Sequence, residues 1–125
     1  MANIYSRIYK KLEGLGVMDV TESVHLKSQG FMDLVIERLQ ENHYSLTHYF
    51  EQNGDLCPDP DMTIKIVPEM KIAEALTYQD QFCYRVVYPD LEHVNIKAKK
   101  ELNAFLDQWL SNLKEQGFTW YKVPR

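Results

Sequence analysis

A tight-turn dipeptide, Asn53-Gly54, lies between two runs in which polar and apolar residues alternate. Both central residues of a type I′ turn need positive φ, and Asn-Gly meets that need at little cost. Before it, Tyr44, Leu46, His48 and Phe50 fall on one side of an extended chain, and Ser45, Thr47, Tyr49 and Glu51 on the other. After it, Met62, Ile64 and Ile66 alternate with Thr63, Lys65 and Val67. A chain that reverses through two residues pairs its flanks antiparallel, so the spacing predicts a sheet of sequential neighbours.

Further strands extend this pattern. Met32, Leu34 and Ile36 alternate with Asp33, Val35 and Glu37, which predicts a strand over 31–39, with a helix as the alternative. Pro68-Glu69 closes the run that ends at Val67. An extended stretch over 70–79 then leads into a strand over 82–88. Pro58 and Pro60 lack backbone donors, so Pro58-Asp-Pro-Asp61 is expected as a rigid exposed loop or bulge. Residues 17–29 show no steady period and read as a loop, at most with a short extended piece. The sum is a four- to five-stranded antiparallel meander.

Helical spacing brackets the sheet. Ile4, Ile8 and Leu12, followed by Gly14 and Gly16, predict a helix over about 3–13. Val94, Ala98, Leu102, Phe105, Leu106, Trp109, Leu110 and Leu113 trace the stripe of a long helix that Gly117 stops. That stripe must be buried, and the apolar face of the meander is the surface available to it. The expected fold is α+β, with an N-terminal helix and a long C-terminal helix packed on one face of the sheet. The tail, with Trp120 and Tyr121, is expected to add an edge strand or to pack down.

The chain has 125 residues, enough for one core without disulfides, so residues 1–125 are expected to form a single domain. Two cysteines, Cys57 and Cys83, are too few for a secreted scaffold and read as reduced thiols. No leader-like or membrane-spanning apolar run is apparent, which makes the cytoplasm the expected location. A net charge of −4 offers no attraction to nucleic acid or anionic lipid. The lysines at 97, 99, 100 and 114 are interrupted by Glu101, Asp107 and Glu115 and read as a solvated face.

Three segments carry a likeness to a known group: Gly54-Asp-Leu-Cys-Pro-Asp-Pro-Asp-Met-Thr-Ile-Lys-Ile66, Ala73-Glu-Ala-Leu-Thr-Tyr-Gln79 and Leu102-Asn-Ala-Phe-Leu-Asp-Gln-Trp-Leu110. In this order they resemble the YqiB-like bacterial domains of unknown function. The likeness covers about residues 30–117, and the first thirty residues match the group poorly. It implies a bacterial cytoplasmic protein and transfers no activity or catalytic residue.

Candidate sites follow from residue chemistry. Asp55, Asp59 and Asp61 place three carboxylates close together in sequence, a donor set suited to Mg²⁺, Mn²⁺ or Ca²⁺, although aspartates beside prolines are also ordinary turn residues. Pro60-Asp61 followed by Glu69-Met-Lys71 has the order of the acidic and lysine residues of one class of metal-dependent nucleases. If Glu69 and Lys71 shared a strand face, the carboxylate could bind metal and the ammonium could stabilise developing charge. His48 falls on the apolar face of its strand. Glu74 is placed by parity with Ile72, Leu76 and Tyr78, where a buried carboxylate needs a partner, His48 or Arg85. These three read as a polar pair or ligand cleft, more often structural than catalytic.

Phosphate loops, nucleophile elbows, His-Glu-x-x-His and Cys-x-x-Cys patterns do not occur. Eight tyrosines, five phenylalanines and two tryptophans supply aromatic surface, with Tyr44, Tyr49, Tyr78, Tyr84 and Tyr88 on adjacent predicted strands. The expectation is a non-enzymatic binding or accessory module with no cofactor, recognising a protein or small molecule, with a homodimer also open. The alternative is a metal-dependent hydrolase or nuclease using Asp59, Asp61, Glu69 and Lys71, with a divalent metal.

Overall fold

The computed structural model describes residues 3–118. Two helices and six strands follow in the order α1 (Ile4–Leu15), β1 (Ser23–Leu26), β2 (Asp33–Gln40), β3 (His43–Gln52), β4 (Asp55–Val67), β5 (Ile72–Gln79), β6 (Tyr84–Val86) and α2 (Ile96–Glu115). The six strands form one sheet in chain order with every neighbour antiparallel, so the architecture is an α+β meander. Asn53 and Gly54 close the β3–β4 hairpin with φ of 55° and 86°, as the dipeptide required.

The sheet has six strands where four or five were expected. The added one is β1, inside the stretch 17–29 read as a loop with at most a short extended piece; it is four residues long, too short for alternation to establish. A 3₁₀ turn, Val17–Asp19, precedes it. Conversely, the strand expected over 82–88 narrows to Tyr84–Val86, which leaves Cys83 outside it.

Pro58-Asp-Pro-Asp61 is a second correction, because it lies inside β4 and forms no separate loop. Thr47 faces Asp61 and Tyr49 faces Pro58, so His48 alone opposes Asp59 and Pro60. This β-bulge absorbs the missing donor of Pro60, and Pro58 pairs in register with Tyr49 on the part of β4 that β5 does not reach. A further bulge on β5 shifts pairing from Thr63 with Thr77 to Ile64 with Ala75, leaving Leu76 unopposed.

The core lies between one sheet face and the two helices. Leu34, Ile36, Leu46, Met62, Ile64, Ala73 and Ala75 are buried together with Ile8 and Leu12 of α1 and Leu102, Leu106 and Leu113 of α2. Both helices approach the sheet chiefly at β5, where alanines permit close packing. The opposite face carries Ser45, Thr63 and Thr77, with Thr63 and Thr77 hydrogen-bonded across strands at 2.6 Å.

Helix ends follow their caps. Asn3 Oδ1 accepts the Ser6 N–H, and Gly16, at φ 94°, donates to the carbonyls of Leu12 and Glu13, so α1 runs past Gly14. Asn95 Oδ1 accepts the Ala98 N–H at 3.0 Å, so α2 begins only at Ile96 and Val94 falls outside the stripe assigned to it. Gly117, at φ 91°, ends the helix region, and the Phe118 N–H donates back to the Leu113 carbonyl at 3.0 Å. Asp107 of α2 ties the helices together through Lys11 at 2.7 Å and Arg7 at 3.5 Å. The expectation for the tail, including Trp120 and Tyr121, falls outside the described residues.

Candidate functional site

The residues singled out by the sequence do not converge. Asp55 opens β4 and is exposed, Asp59 sits in the bulge, and Asp61 accepts a hydrogen bond from Thr47 Oγ1 at 3.0 Å. Glu69 belongs to the 3₁₀ turn Pro68–Met70 and Lys71 follows it in the left-handed region at φ 54°, so they share no strand face. The strand from Asp61 to Val67 alone separates the two groups by roughly 20 Å. Pro68 suits the first position of a helical turn, which is why the extended chain breaks there. Among the described residues, no three His, Cys, Asp or Glu side chains are grouped as a metal site would need.

His48 lies on the apolar face as expected, where it is buried against aromatic rings. Its Nδ1–H donates to the Asp33 carbonyl at 3.1 Å, and its ring lies 5.4 Å from Trp109 and 5.7 Å from Phe118. Glu74 meets neither proposed partner. The bulge at Leu76 resets parity, so Ala73, Ala75 and Tyr78 share the core side while Glu74 pairs in register with Lys65. Its carboxylate lies 3.7 Å from Lys99 Nζ, and Arg85 binds Glu101 at 2.9 Å.

Exposed apolar side chains occur at Phe31, Met32, Leu39, Met70 and Phe105, and are densest between Phe82 and Ile96. Phe82 is 90% exposed, Leu91 106% and Ile96 74%, and Tyr84, Tyr88 and Val94 are exposed in the same stretch. This stretch contains β6, one of the two edge strands among the described residues, and the connection into α2. The other edge, β1, is guarded by polar groups: His25 and Lys27 lie 2.9 Å and 4.0 Å from Asp33. β6 is also short, three residues with Arg85 at its centre, and what distinguishes its edge from β1 is the exposed apolar surface beside it.

The support beneath this surface is well bonded. Asp80 Oδ1 accepts the N–H groups of Phe82 and Cys83, and Oδ2 accepts the Tyr78 hydroxyl at 2.7 Å. The Tyr78 bond and the two backbone donors hold the Asp80 carboxyl below its usual range, while burial and the nearby Asp80 push the Tyr78 phenol well up. In the connection, Asp90 binds His93 Nδ1 at 2.7 Å and accepts the Glu92 N–H, and the Asn95 N–H donates to the Val87 carbonyl. The His93 contact, with the backbone donors, lowers the Asp90 carboxyl.

Lys99 anchors the base of the connection. Its Nζ donates to the Tyr88 hydroxyl at 2.6 Å and lies 5.2 Å and 5.5 Å from the ring centroids of Tyr88 and Tyr5. The Tyr88 bond leads the causes that raise the Lys99 ammonium above its ordinary value, and Glu74 adds to it. Asn103, buried in α2, accepts the Ala75 N–H at 2.8 Å and donates to the Lys99 carbonyl at 2.7 Å. Sequence reasoning assigned no role to Phe82, Leu91, Ile96 or Asn103. An apolar residue on an unrecognised edge looks like core, and Asn103 sits beside the apolar stripe while the Ala75 N–H it accepts lies 28 residues away.

Between the ends of the helices lies an open groove of about 830 Å³ lined by Lys10, Lys11, Lys114, Leu110 and Phe118 among others. Lys114 of the sequence-level basic face thus lines this groove, and Lys99 serves Glu74 and Tyr88. No helix among the described residues is long and apolar enough to cross a membrane.

No curated protein and no solved structure matches the chain. A family described as a domain of unknown function, DUF6908, matches residues 3–119. That span includes residues 3–30, a region that fits the YqiB-like group poorly; that resemblance and the bacterial setting it implied find no support. With nearly its whole length matched, the chain belongs to the DUF6908 family.

Proposed function

We propose that this domain is a non-enzymatic module that binds another protein through the surface formed by β6 and the connection into α2. The observation that carries this reading is the exposure of Phe82, Leu91 and Ile96 on a hydrogen-bonded support. Large apolar side chains held out to water cost free energy that a partner recovers on covering them. An ordered support lowers the entropy lost on association. Two free thiols, one of them the exposed Cys83, fit a reducing, cytoplasmic setting.

A photo-crosslinking phenylalanine analogue at Leu91 tests the proposal in cells making the full chain. A discrete protein adduct is expected, lost when Phe82→Ser and Ile96→Ser are added, and absent when the analogue replaces exposed Glu13 on α1. Equal labelling from both positions, or none from Leu91, refutes it.

A further inference from the structure

We propose that the partner docks as an extended strand added to β6, and that its apolar residues are flanked by basic ones. The inference rests on the protein-binding reading above and specifies what is recognised. The backbone supplies the first argument. Val87 N–H donates to the Leu76 carbonyl and Asp80 N–H to the Cys83 carbonyl, so residues 83 and 87 bond inward to β5. Hydrogen-bonding direction alternates along a strand, which turns the N–H and C=O groups of Tyr84 and Val86 outward. Among the described residues nothing on that edge pairs with them. A peptide strand is the partner whose own backbone matches this row of donors and acceptors.

Charge sets the flanks. The stretch from Asp80 to Ile96 holds Asp80, Asp90 and Glu92 against the single guanidinium of Arg85, and Glu101 already binds that guanidinium. The carboxyls of Asp80 and Asp90 are held in their charged form by local donors. Lysine or arginine at the ends of the incoming strand complements this rim.

Charge also argues against a second copy. A twofold-related β6 that used both outward-facing residues would pair Tyr84 with Val86 of its mate. That register brings the Asp80 end of each copy to the Asp90 end of its mate, so the two acidic rims meet and like charges repel.

The test uses extended peptides of roughly ten residues, fully randomised and displayed on phage, selected on the immobilised full chain. Alternating apolar peptides with Lys or Arg near their ends should be enriched, and should bind more weakly as salt rises. The decisive variants are Val86→Pro and Tyr84→Pro. Each deletes an outward N–H and leaves the bonds to β5 in place, a substitution edge strands tolerate. Circular dichroism confirms folding, and each variant should weaken the selected peptides about tenfold or more. In the wild-type complex the Tyr84 and Val86 amides should become protected from exchange, a readout that needs no variant. Enrichment of nothing above background, undiminished binding to a folded proline variant, or unprotected Tyr84 and Val86 amides overturns strand addition. If Leu91 still crosslinks a partner that either folded proline variant retains, the protein-binding reading stands and only the strand mode fails.

Discussion

Replacing Asn103 tests how the surface-bearing part of the fold is held. Asn103 is 1% exposed and is the described side chain that reaches from α2 to the β5 backbone, accepting the Ala75 N–H at 2.8 Å. The bulge beside Ala75 disturbs the ladder there, so the amide oxygen replaces a strand partner. In Asn103→Ala the Ala75 N–H is left buried and unpaired, at a cost of about 1–3 kcal/mol. The second bond, from Nδ2 to the Lys99 carbonyl, matters less, because a helix carbonyl at that position also accepts the N–H four residues on. Alanine returns about half a kcal/mol of helix propensity. The net expectation is a loss of about 2 kcal/mol, or roughly 8 °C in Tm for a domain of this size. Urea and thermal unfolding followed by far-UV circular dichroism measure it. Asn112→Ala is the control, since Asn112 is exposed on the same helix and should shift stability by less than about 0.5 kcal/mol. If the two variants unfold alike, the assignment of Asn103 as the bond-maker between α2 and β5 is refuted.

Other predictions address the turns and charges. Gly54→Ala places a side chain at φ 86°, where space is free but the conformation is unfavourable, and should destabilise by about 1 kcal/mol in urea titrations. Leu106→Ala, wholly buried under the sheet, should lose about 2–5 kcal/mol in the same assay. Asp80→Ala removes the acceptor of the Phe82 and Cys83 amides, and amide exchange at those two positions should quicken while that of Ile64 is unchanged. Lys99 has a folded pKa above its ordinary 10.5, so its contribution to stability is complete below that value and disappears as pH rises through the folded one. Melting temperatures of wild type and Lys99→Met across alkaline pH should therefore converge; a constant gap would show that the ammonium is not responsible.

The sequence by itself determined the class of fold and most of its elements. Asn53-Gly54, the alternation around Leu46 and Ile64, and the stripe ending at Gly117 are local signals, readable because turn dihedrals and side-chain periods depend on a few adjacent residues. Only the tertiary structure decided the remainder. β1 exists because β2 presents an edge to pair with, which four residues cannot announce. Bulges opposite His48 and at Leu76 arise in the pairing between strands. They carried the acidic run into β4 and left Glu74 in register with Lys65, against a parity that held only for an unbroken strand. Phe82, Leu91 and Ile96 have the composition of a core, and their exposure follows from the sheet ending at β6. Burial depends on what lies on the far side of a residue, a relation between distant parts of the chain that no local spacing contains.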